Sequence, residues 1–111
     1  MKKLFTNYNF DFDKNEKKIL TTFVKQIFKQ SSADEKYFQQ SKTSASILDK
    51  LNENGETVRF TKAEREFLKL NLETTLAHYK KETSKAGFLK KWLYKSMIKQ
   101  YDNILNKHFK G

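Results

Sequence analysis

Three helix starts are written into this chain by spacing alone. Asp13 precedes Glu16, Ser32 precedes Glu35 and Thr61 precedes Glu64. Each pair has the three-residue separation of a capping box, in which a cap side chain and a Glu carboxylate satisfy each other's backbone N–H groups. Apolar residues of helical period follow each start, and the chain has no proline to interrupt them.

Four helices are expected, at about 13–30, 33–53, 62–82 and 88–109. The first carries Ile19, Leu20, Phe23, Val24, Ile27 and Phe28 on one face, with Lys18, Thr22, Lys25 and Lys29 opposite. The second places Ala33, Tyr37, Ser44, Ile47, Leu48 and Leu51 together. Its centre, QQSKTSAS, is polar and poor in helix formers, which leaves room for a break near residues 40–43 in an otherwise continuous helix. Asn54-Gly55 would end it, Gly55 being able to take a left-handed conformation. The third has two apolar flanks, Ala63, Phe67, Leu70 and Ala77 on one and Leu68, Leu72, Leu76 and Tyr79 on the other. Such a wide arc predicts a central helix buried between neighbours. A short turn, 83–87, makes the third and fourth helices an antiparallel hairpin.

Strand signal is confined to two short segments. Tyr8, Phe10 and Phe12 alternate in the N-terminal aromatic arm, residues 1–12, and Val58 and Phe60 alternate around Arg59. Residues 7–12 and 56–60 are expected to form a two-stranded β-pair, which must pack on something to be stable. The aromatics of the arm are read as core. The architecture predicted is therefore all-α (mainly α): a four-helix bundle in one small domain, 1–111, with that short β-pair.

Composition narrows the function classes. With 23 Lys+Arg against 13 Asp+Glu, the formal net charge is +10. The excess lies at the two ends, with net charges of +4, −1 and +7 for residues 1–30, 31–60 and 61–111. Such a chain attracts polyanions and acidic proteins. Only Arg59 and Arg65 are arginine, the residue that best clamps phosphate and reads guanine. Cysteine is absent, which excludes disulfides, thiolate metal sites and thiol chemistry. No apolar run reaches the length of a membrane span, and Asp11 and Asp13 follow the opening lysines too soon for a signal peptide. A cytoplasmic location is the expectation.

Catalytic and metal templates fail when tested. Asp11, Asp13 and Asn15 resemble the opening of a calcium loop, but the sixth and twelfth positions are Glu16 and Thr22 instead of Gly and Glu. His78 and Glu82 stand one turn apart, with His108 as a conceivable third ligand. The wheel puts His78 beside Asn71 between the apolar flanks, so both are read as hydrogen-bonded core residues. The glycines are too dispersed for a phosphate loop, and no nucleophile stands at a recognisable spacing from a base. No enzyme activity, cofactor or metal is predicted.

The last helix holds the remaining signal. Leu93, Met97, Ile98, Tyr101, Ile104, Leu105 and His108 gather on one face, while Lys91, Lys95 and Lys99 descend the other. Phe88 and Trp92, the sole tryptophan, fall on the lysine side one turn apart. Covered by the aromatic arm or the first helix, they would be structural. Left open, they are aromatic anchors of the kind that dominate binding surfaces. The lysine row likewise suits a solvated helix face or an anionic partner. Phe88, Trp92, Lys91, Lys95 and Lys99 are thus the candidate partner-binding residues of a non-enzymatic protein-interaction or regulatory module. Nucleic-acid binding through the same basic face is the alternative, with bases stacking on the aromatics. Membrane-surface binding is disfavoured, because the apolar face of this helix is expected to serve the core.

Overall fold

The computed structural model describes residues 8–53 and 57–109. The fold is mainly α, with four α-helices and one short two-stranded antiparallel sheet among the described residues. In chain order these are β1 (Tyr8–Phe10), α1 (Lys14–Ser32), α2 (Phe38–Leu51), β2 (Val58–Phe60), α3 (Lys62–Thr83) and α4 (Phe88–His108), with a single 3-10 turn, Glu35–Tyr37, before α2. Two compact units are present, Met1–Arg65 and Glu66–Gly111.

In the first unit the expected strands pair, with Tyr8 opposite Phe60, Asn9 opposite Arg59 and Phe10 opposite Val58. Residues 7 and 56 of the expected ladder lie outside the described residues. The alternation works as pleat geometry requires: Phe10, Val58 and Phe60 are buried and Arg59 is exposed. Phe12 joins them, its ring stacked at 5.2 Å on Phe10 and 6.3 Å from Phe60. Further along that face, the Arg65 guanidinium sits 5.1 Å from the Tyr8 ring centre.

Capping explains where α1 and α3 begin. The Glu16 N–H donates to Asp13 Oδ1 at 2.7 Å and the Asp13 N–H donates to Glu16 Oε1 at 2.9 Å. Thr61 and Glu64 reproduce the arrangement at 2.8 and 3.2 Å. Asp13 is therefore a helix cap, and Asp11 accepts from the Thr57 hydroxyl. Glu64 does more than cap. Only 5% exposed, it also accepts from Ser46 and from the Lys50 ammonium, tying α2 to the start of α3. Burial pushes its carboxyl up, but the bonds from Lys50, Ser46 and Thr61 outweigh that and hold it below the ordinary Glu value.

The third expected cap is not used. Ser32 is the last residue of α1, and its hydroxyl donates to the Phe28 carbonyl. Asp34 serves instead, accepting from the Lys36 N–H, and the 3-10 turn separates α1 from α2. Helix α2 runs unbroken through residues 40–43. Thr43 and Ser44 donate to the carbonyls of Gln39 and Gln40, so the weak helix formers bond their own helix rather than interrupt it. Ser44, Ile47 and Leu51 are buried, whereas Ala33 and Tyr37, expected on that face, are exposed. The expected stop at Asn54-Gly55 lies outside the described residues; α2 ends at Leu51.

The second unit is the expected hairpin. Leu76 and Ala77 of α3, Leu105 of α4 and Phe109 just past its end line one cavity, and Tyr79 stacks on both Tyr94 and Tyr101 at 5.3 and 6.1 Å. Burial, with Tyr79 alongside, pushes the Tyr101 phenol up to about 12. Only one flank of α3 is buried: Leu68, Leu72 and Leu76, at successive i, i+4 positions. Leu70 is 63% exposed, and Ala63 and Ala77 are also open, so the wide apolar arc is not enclosed as expected. His78 is exposed rather than inward, and Asn71 satisfies itself on the Phe67 carbonyl.

Candidate interaction surface

Helix α4 carries two apolar arcs. At 100° per residue, Tyr94, Met97, Ile98, Tyr101, Ile104 and Leu105 cluster on one side, and all of these apolar residues are wholly or partly withdrawn from water. Phe88 and Trp92 lie roughly opposite that side, and Leu89 and then Leu93 step back toward it. They are 86, 72, 79 and 51% exposed. Leu93, expected on the core face, belongs with the exposed set.

Local sequence accounts for this start. Gly87 is the N-cap and contributes no side-chain hydrogen bond, and the first turn contains no acid. Lys90 and Lys91 stand there instead, at the positive end of the helix dipole. The chain reverses before Gly87 through the Ser84 hydroxyl on the Lys81 carbonyl and the Lys85 N–H on the Glu82 carbonyl.

The electrostatics are one-sided. From 83 to 101 there are five lysines and no acid. Lys85, Lys90, Lys91, Lys95 and Lys99 are all exposed, and among the described residues none is paired with a carboxylate. Lys91 and Lys95 border the Phe88 side of the apolar patch and Lys90 the Leu93 side, as the helical period dictates. The surface is thus an apolar centre of two turns with a cationic rim. The five residues singled out from the sequence are all exposed on it, with Lys99 one turn further along. Leu89 and Leu93 were missed as members; their signal was the i, i+4 doublet 88/92 repeated at 89/93.

Other features fit a site less well. The cavity between α3 and α4 holds about 310 Å³ over Leu76, Leu105 and Phe109, with Lys69, Glu73, Lys80 and Asp102 at its rim. Among the described residues no group of three or more His, Asp or Glu could hold a metal ion. No described helix is long and apolar enough to cross a membrane. Compared with protein-family models, curated proteins and solved structures, the chain matches none.

Proposed function

We propose that this chain is a non-enzymatic docking module, which binds another protein through the exposed face of α4. The observation that carries the reading is the exposure of Phe88, Leu89, Trp92 and Leu93 as one patch rather than as scattered residues. Single exposed hydrophobics need no explanation, but a contiguous patch with a polar rim is the anatomy of a protein contact. Covering the two rings alone would remove about 300 Å² from water, roughly 7 kcal/mol before the costs of association. Tryptophan at the centre of such a patch is the residue type that most often dominates binding energy.

The test uses the sole tryptophan. In the isolated protein Trp92 emission is expected to be red-shifted and open to acrylamide. In host extract, wild-type protein is expected to retain a protein partner that Trp92→Ala and Leu89→Ala lose. Retention that is unchanged in both variants refutes this reading. Retention abolished by nuclease supports nucleic-acid binding through Lys91, Lys95 and Lys99 in its place.

A further inference from the structure

We infer that the occupant of the α4 face is an acidic amphipathic helix presented by another protein; this rests on the docking reading above. Shape supports it first. Phe88 and Trp92 form one ridge and Leu89 and Leu93 a second, each an i, i+4 pair on an exposed helix. Ridges of this spacing seat those of a crossing helix over a contact of about two turns. Beyond Leu93 the same face becomes polar at once, through Ser96, Lys99, Gln100 and Asn103, all exposed. A helix lying in a bilayer interface continues its apolar face along its length, so this bounded patch fits a protein contact better. Leu89 and Leu93 have no π face for a base, which leaves half the patch idle on nucleic acid.

Charge then selects the partner. The rim holds Lys90, Lys91 and Lys95 without carboxylate partners among the described residues, and the dipole of an acid-free first turn adds to their field. A second copy of this chain would set lysine rim against lysine rim, which like-charge repulsion opposes. A helix with Leu or Phe anchors at i, i+3 or i+4, flanked by Asp or Glu, complements both the centre and the rim.

The experiment selects from a display library of random peptides, about sixteen residues or roughly 24 Å of helix, on the immobilised full chain. A parallel selection uses the Leu89→Ala/Trp92→Ala double variant. Both side chains are largely exposed, and thermal melts followed by circular dichroism check that the variant stays folded. Peptides enriched on the wild type alone are expected to carry net negative charge and helically spaced apolar anchors. A synthetic consensus peptide is expected to lose about tenfold or more in affinity against Lys90→Ala/Lys91→Ala/Lys95→Ala, and severalfold on raising salt. Enrichment of neutral or basic peptides overturns the acidic helix and leaves the docking reading standing. An absence of wild-type-specific peptides overturns both. A blue shift of Trp92 on vesicles of phosphatidylcholine and phosphatidylglycerol, or on poly(dT), would then reassign the face.

Discussion

Phe10, Phe12 and Phe60 are at most 5% exposed, whereas Phe88 and Trp92 remain 86 and 72% exposed. Both groups are bulky aromatics, so residue type does not separate them. Their backbone settings do. A β-pair presents alternate residues to one side, so Phe10, Val58 and Phe60 reach the interior together. Helix α4 buries one arc of its circumference and leaves a second apolar arc, Phe88, Leu89, Trp92 and Leu93, exposed. The comparison teaches that aromatic content predicts a core only when the element bearing it has a single apolar face.

The largest expected effect breaks the buried group. Phe60→Ala, at a fully buried ring, should cost about 3–5 kcal/mol in urea denaturation. Trp92→Ala should change stability by no more than about 0.5 kcal/mol, although it removes a larger ring. Comparable losses in the two variants would show that the exposed group is structural after all.

The next effect is acid sensitivity, centred on Glu64. Its carboxyl is held below the ordinary value, so it contributes stability above the unfolded-state pKa of about 4.3. That contribution is lost as pH falls through the lower folded-state value. Glu64→Gln should cost roughly 1–3 kcal/mol at neutral pH and flatten the acid limb relative to wild type. Parallel acid limbs in the two proteins would refute the assignment.

The smallest effect sharpens the other side of the comparison. Gly87 has extended N-cap geometry at φ −68°, and open space where a Cβ would stand. Gly87→Asp should therefore stabilise α4 by roughly 0.5 kcal/mol, through a cap bond and a favourable charge at the dipole. Slower amide exchange at residues 88–93 would report it. The new carboxylate should also weaken any acidic peptide bound to the neighbouring lysines.

Much of the fold was legible in the residues. The caps at Asp13 and Thr61, the spans of α1, α3 and α4 and the pairing of residues 8–10 with 58–60 all follow from local spacing. Ser32 misled because a hydroxyl at a helix end bonds its own turn as readily as it caps the next. His78 and Leu93 misled for a different reason. A helical wheel sorts residues by angle, but it does not say which arc meets a neighbour. For α4 the wheel placed Trp92 opposite the core correctly and placed Leu93 within it, although at 51% exposure Leu93 is a border residue. The candidate lysines were legible as a row. That an apolar patch lies open among them was not, because exposure depends on which arc of the helix meets a neighbour.

The strand pairing also imposes an order in time. Phe10 and Phe12 belong to one strand side of a cluster whose other ring, Phe60, is encoded roughly fifty residues later. During synthesis α1 and α2 can pair first, since their contacts are closer in the chain. The first aromatic cluster must wait for Phe60 to emerge before it can close. A nascent chain therefore displays that cluster briefly and withdraws it, and then makes the α4 cluster, which it keeps on display.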